Sequence, residues 1–159
     1  MSLISITEEE VLGAQEKWAK AVIDIGNKFI ANEDHLSCTE MFLDRLYAFS
    51  MGDVLFKPTL VSQKQFRLTK KGALSYFIGG DPDFPEDTGF ALKKWKNIRF
   101  ENKKILIEGN IAIAMGNYFM TVDNFETKIE YSLVYKKDPE GNLRIILHDS
   151  HLPYNPEAF

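Results

Sequence analysis

The hydrophobic pattern of this chain changes period once along its length, and that change limits the fold more than any other feature. In the first third, apolar residues recur every three or four positions, as Val11, Ala14, Trp18, Val22, Ile25 and Phe29, and again as Met41, Phe42, Leu46 and Phe49. From Trp95 onward the period is two. Thr127, Ile129, Tyr131, Leu133 and Tyr135 alternate with Lys128, Glu130 and Ser132. The first pattern places one apolar stripe on a helix, and the second places one apolar face on a strand. Helices first and strands last predict an α+β domain, with the long helix lying across the concave face of a curved antiparallel sheet. Such a cone has a pocket at its open end.

Local signals set the boundaries. Thr7 and Glu10 have capping-box spacing, so the first helix is expected to start there. A second helix is expected over Thr39 to Phe49, and a short strand over Val54 to Phe56 that ends near Pro58, which cannot donate to a ladder. Thr59 stands at the mouth of that strand. Gln65 to Leu68 reads as a second extended piece, and Thr69 caps a short helix through Phe77 that Gly79 and Gly80 end. Asp81 to Gly89 is loop. Turn signals at Glu101-Asn102-Lys103, Gly109-Asn110, Asp123-Asn124 and Pro139-Glu140-Gly141-Asn142 divide the remainder into a meander. No repeat or linker interrupts residues 1–159, so a single domain is expected.

Composition removes several function classes. A chain of 159 residues can bury roughly 70% of its unfolded surface, so it needs no disulfide or structural metal. Lys and Arg number 19 against 23 Asp and Glu, a net charge of −4 that attracts no nucleic acid. Cys38 is the single cysteine and reads as a packed thiol. Met1 to Thr7 holds no Lys or Arg and leads into three glutamates, unlike a targeting peptide, and no run reaches membrane-spanning length. A cytoplasmic location without membrane contact is the expectation. Phosphate-loop and nucleophile-elbow motifs are absent from the sequence.

The segment that carries chemistry is the last strand, Leu143 to Pro153, where His148, Asp149, Ser150 and His151 interrupt an apolar run. Strict alternation from Leu143, Ile145 and Leu147 puts Asp149 and His151 on the inward face, and His148 and Ser150 on the other with Arg144 and Ile146. A bulge near the strand end reverses that assignment. A carboxylate two residues from a histidine on one face fixes the ring tautomer and raises its basicity, which suits a general base. A rim of solvated or hydrogen-bonded polar residues is the competing reading. Zinc held by His148 and His151 is disfavoured, because strand positions three apart face opposite ways.

Several motifs together resemble the iota-class carbonic anhydrase family. They are Val54-Leu55-Phe56-Lys57-Pro58-Thr59, Gln65-Phe66-Arg67, Gly72-Ala73-Leu74-Ser75-Tyr76-Phe77, Phe84-Pro85-Glu86-Asp87-Thr88-Gly89-Phe90, Ala114-Met115-Gly116-Asn117-Tyr118 and His148-Asp149-Ser150-His151-Leu152-Pro153. That family is related to the association domain of calcium/calmodulin-dependent protein kinase II and belongs to the nuclear-transport-factor-2-like superfamily. The resemblance implies a cone-shaped fold, homodimers formed through the sheet face, and reversible hydration of carbon dioxide to bicarbonate. It implies a pocket that works without metal, with zinc or manganese as the alternative.

On the matching positions, Thr59 and Tyr76 are implied to hold bicarbonate or the attacking water. Catalytic relatives read His-His-Ser-Ser in the terminal strand, so His148 and Ser150 match while Asp149 and His151 depart. The expected site is therefore His151 as base, Asp149 orienting it, Thr59 and Tyr76 on the ligand, and His148 and Ser150 as substrate-binding or supporting residues. Two other functions compete with the anhydrase. One is an isomerase, dehydratase or hydrolase acting on a small organic substrate in the same cone. The other is a non-catalytic association module whose pocket binds a small carboxylate.

Overall fold

Residues 5–158 are described by the structure, a computed structural model. The first helix, α1 (Glu8–Ile30), starts where the capping box places it. The Thr7 hydroxyl accepts the Glu10 amide at 3.2 Å, and the Glu10 carboxylate accepts the Thr7 amide. Its inward stripe holds Val11, Gln15, Trp18, Val22 and Ile25. The stripe stops a turn short of expectation, because Phe29 is exposed and stands edge-on to the His35 ring. Close backbone approach takes over at Gly26, where a Cβ would come within 2.7 Å of the Ala91 carbonyl oxygen.

The second helix, α2 (His35–Leu46), begins earlier than expected because Asp34 caps it, accepting the Ser37 amide at 3.0 Å. Then come β1 (Leu55–Lys57) and α3 (Lys70–Ile78), the latter capped by Thr69 and stopped at Gly79, whose φ is +68°. Gln65 to Leu68 is not a strand. Its tie to β1 is the Arg67 amide, which donates to the Phe56 carbonyl at 2.7 Å. The long strands follow as β2 (Asn97–Glu108), β3 (Ile111–Val122), β4 (Phe125–Lys137) and β5 (Leu143–His151).

These strands form a curved sheet in the order β1-β5-β4-β3-β2, with the helices on its concave face. The α+β architecture is the one the period change predicts. The sheet is mixed, however, since β1 pairs parallel to β5. Parallel neighbours need a long crossover, and α3 with the meander supplies it. Among the described residues, no helix is long and apolar enough to cross a membrane.

Two bulges shape the sheet. Glu101-Asn102-Lys103 is not a turn, because β2 continues through it with a register shift between Asn102 and Lys104 opposite Gly116. A Cβ at Gly116 would collide with the Glu101 carbonyl, so glycine is what lets the bulge close. Gln15 reaches from α1 to this point and exchanges hydrogen bonds with Asn102 at 2.8 and 2.7 Å. The second bulge lies in β5. Val134 pairs with Leu147 and Tyr135 with Ile145, which leaves Ile146 as the extra residue.

Candidate active site

The bulge at Ile146 decides which side chains of β5 enter the cone. Leu143 and Ile145 are buried, Ile146 and Leu147 are both half-buried, and then His148 and Ser150 are buried at 2% and 1% exposure. Asp149 is half-buried and His151 exposed. One extra residue shifts the alternation by one position, so every later side chain changes face. The expectation that Asp149 and His151 form a base dyad inside the pocket is corrected on this point. Both lie on the outer face of the sheet, where Ser132 and Glu130 are their cross-strand neighbours. His148 and His151 are on opposite faces. Among the described residues, no group of three or more His, Cys, Asp or Glu is arranged to hold a metal ion.

Thr59 reaches the inward face because β1 is short and parallel to β5. Phe56 stands beside His148 and Lys57 beside Asp149, and the chain then turns through Pro58. The Thr59 and Ser150 hydroxyls are 2.8 Å apart, and the Lys57 ammonium donates to the Ser150 carbonyl at 2.8 Å, which ties the two strand ends together. From α3, the buried Tyr76 hydroxyl accepts the Leu60 amide at 3.1 Å. Burial drives its pKa far above the usual tyrosine value, with the Leu60 amide and the neighbouring Thr59 hydroxyl offsetting part of the rise. Tyr118, from β3, is pushed up to about 12 by burial, offset by the hydroxyls of Ser150 and Thr59 beside it. Four protonated hydroxyls from four parts of the fold thus meet at one point.

Behind them lies His148 in an aromatic box. Phe56 stacks on the ring at 5.1 Å and 19°, and Trp18 meets it edge-on at 5.8 Å. Nδ1 is 2.8 Å from the Tyr47 hydroxyl, Nε2 is 3.4 Å from that of Tyr118, and the Trp18 indole donates to Tyr47 at 3.0 Å. Burial lowers the His148 pKa from 6.5 to about 3, since an imidazolium here would lose its water. The ring is therefore neutral near pH 7.

A consequence for stability follows from linkage. The unfolded chain binds a proton at His148 below about 6.5 while the folded chain does not, so this contribution is fully present above that pH. It is lost as pH falls from about 6.5 toward 3. Urea midpoints across that range should drop on acidification, and His148→Gln should flatten the drop if it folds.

Tyr76 is held by a buried ion pair that joins the loop before it to the loop after it. Arg67 donates to both Asp87 oxygens at 2.6 and 2.7 Å, to the Gly72 carbonyl at 2.8 Å and to the Lys64 carbonyl at 2.8 Å. Ser75, adjacent to Tyr76, donates to Asp87 at 2.6 Å. A small cavity of about 10 Å³, the size of one water, lies against Tyr76, Leu60 and Phe90. A cavity of about 1030 Å³ is an open groove between α1, α2 and the turn before β5, and none of the hydroxyl cluster lines it.

Thr59, Tyr76, His148 and Ser150 are thus brought together, while Asp149 and His151 are not. Sequence reasoning missed Trp18 and Tyr47 as partners of His148, since Trp18 sits in the apolar stripe of α1 and Tyr47, just past the end of α2, falls inside the segment expected to be the second helix. It also missed the Arg67 to Asp87 pairing, which joins two loops that carry no periodic signal.

A family profile described as metal-independent carbonic anhydrase matches residues 9–152. A metal-independent carbonic anhydrase of Nostoc sp. strain PCC 7120 is 43% identical over 154 residues, covering 94% of this chain and 75% of that protein. The crystal structure of a cyanobacterial iota-carbonic anhydrase complexed with bicarbonate superposes with a TM-score of 0.93 at 42% identity, covering 98% of this chain and 97% of that one. An NTF-2-like protein of unknown function from Shewanella oneidensis shares the fold at a TM-score of 0.58 and 11% identity, over 90% of this chain and 97% of its own. By the family match and the identity over nearly its whole length, the chain belongs to the metal-independent carbonic anhydrase family.

Proposed function

We propose that this chain hydrates carbon dioxide reversibly to bicarbonate at the hydroxyl cluster of Thr59, Tyr76, Tyr118 and Ser150. The observation that carries the reading is where the departures from His-His-Ser-Ser fall. Asp149 and His151 are outside the cone, whereas the matching His148 and Ser150 face Thr59 and the tyrosines. A carboxylate inside the pocket would repel a bicarbonate anion, and Asp149 is not there.

In the hydration step a water oxygen bonds to carbon, one proton leaves to solvent or buffer, and negative charge develops on the carbon dioxide oxygens. Hydroxyls that burial keeps protonated are donors for that charge, and they act in a site largely closed to water. The bicarbonate bound in the similar cyanobacterial structure supports the ligand class. No step in this reading uses a metal. An isomerase or dehydratase for an organic substrate fits less well, because the ionisable side chain inside the cone, His148, is a weak base at a pKa of about 3.

Association through the sheet face is part of the same proposal. Leu106, Ile113, Val134 and Leu147 pair successively across four strands and form one apolar row on the outer face, with the exposed Met115 beside it. A second copy of the chain covers that row in this reading, and Asp149 lies next to it and away from the pocket.

Replacing Asp149 by His and His151 by Ser, singly and together, tests the assignment. Stopped-flow carbon dioxide hydration should stay within about a factor of three of wild type, because neither side chain touches the reacting atoms. A loss or gain beyond about tenfold would put them back in the site.

A further inference from the structure

We propose that Trp18, Tyr47, His148 and Tyr118 form a one-way hydrogen-bond chain that fixes His148 as the neutral Nε2–H tautomer and turns the Tyr118 hydroxyl hydrogen away from the ring, with Trp18 and Tyr47 as its positioning residues. The direction is set at the buried end. An indole N–H only donates, and the Trp18 Nε1 proton is given to the Tyr47 oxygen at 3.0 Å. The hydrogen of Tyr47 then requires an acceptor, and His148 Nδ1 lies 2.8 Å away. If Nδ1 carried a proton, Tyr47 would face two donors. Its own hydrogen would be left among the rings of Phe42, Phe56 and Phe77.

Nδ1 is therefore the accepting nitrogen, and a neutral ring has its proton on Nε2. That proton points to the Tyr118 oxygen at 3.4 Å, so the Tyr118 hydrogen turns away from the ring. The Thr59 and Ser150 hydroxyls share a bond of 2.8 Å. Whichever of the two donates it, the hydrogen of the other is left for a ligand. Tyr76 also has a hydroxyl hydrogen to offer, since its oxygen already accepts the Leu60 amide at 3.1 Å.

The Thr59–Ser150 pair and Tyr76 therefore each offer a donor, which suits a small planar oxyanion with acceptor oxygens for both. This deepens the carbonic anhydrase reading and rests on it for the identity of the ligand. It also assigns His148 a role other than base. A ring whose Nε2 already holds the proton cannot take one from the attacking water through Tyr118, so that proton leaves on the solvent side.

The test is the ring ¹⁵N spectrum of wild-type protein labelled at its three histidines, with His148 assigned by the signals lost in His148→Asn. The expected result is a protonated Nε2 and a bare Nδ1 at pH 7. A protonated Nδ1 overturns the proposal. In Tyr47→Phe the ring should become a mixture of tautomers, and bicarbonate titrated into the protein should bind about five- to tenfold more weakly. A folded Tyr47→Phe protein with unchanged tautomer and unchanged bicarbonate affinity also overturns it. Should Tyr47→Phe not fold, the wild-type spectrum alone decides. The spectrum reports the tautomer whether or not carbon dioxide is turned over, so failure of the chain's direction and failure of the activity are read separately.

Discussion

Thr59→Ala should lower the rate of carbon dioxide hydration by about 10²- to 10³-fold while leaving the fold intact. The hydroxyl removed is 2.8 Å from Ser150 and sits where the donors converge, at 8% exposure. Its loss removes one donor to the developing charge and breaks the alignment of the Ser150 hydroxyl with it. The stability cost is small by comparison, about 1 kcal/mol for one hydrogen bond with a partner that retains Tyr118 nearby. Thr59→Ser restores the hydroxyl and should recover most of the rate. Stopped-flow assays beside urea denaturation separate the two effects, and a Thr59→Ala rate within threefold of wild type would remove Thr59 from the chemistry.

The largest effect on stability is expected at Asp87. Asp87→Ala should cost about 3–5 kcal/mol in urea unfolding, because it leaves the Arg67 guanidinium buried without its counter-charge. Both side chains are fully buried, and Asp87 also accepts from Ser75. The intact pair is not in itself a large gain over two apolar residues, since both charges are desolvated, but deleting one partner strands the other. An exposed pair makes the contrast. Lys20 and Asp24 on α1 are 2.7 Å apart yet 77% and 44% exposed, and Asp24→Ala should cost less than about 1 kcal/mol. Asp87→Ala should also slow carbon dioxide hydration, because Ser75 and Tyr76 are neighbours on α3 and the loop that fixes them is released.

The period change from helix to strand was legible because Trp18, Val22 and Ile25 in α1, and Ile129, Tyr131 and Leu133 in β4, are long, regular patterns facing one core. Caps at Thr7 and Thr69 were legible for the same reason, since each hydroxyl has a fixed partner in the next turn. What escaped was every feature that depends on one residue too many or on two distant loops. Alternation placed Asp149 and His151 inside the cone, and the extra residue Ile146 puts His148 and Ser150 there. Nothing in Ile145-Ile146-Leu147 marks a bulge, because three similar apolar residues read equally well in either phase. Likewise Glu101-Asn102-Lys103 has the composition of a turn, and only the absence of a side chain at Gly116 on the facing strand makes it a bulge. Thr59 and Tyr76 were named through their motifs, since a single threonine after a proline and a tyrosine within a short helix carry no period of their own.

The direct test of the central claim is stopped-flow carbon dioxide hydration by chelator-treated protein whose residual metal has been quantified. The account predicts catalysis above the uncatalysed rate with metal far below stoichiometric, and its loss in Thr59→Ala. Activity that disappears with the metal and returns on adding zinc or manganese would contradict it, as would a folded wild-type protein that leaves the uncatalysed rate unchanged.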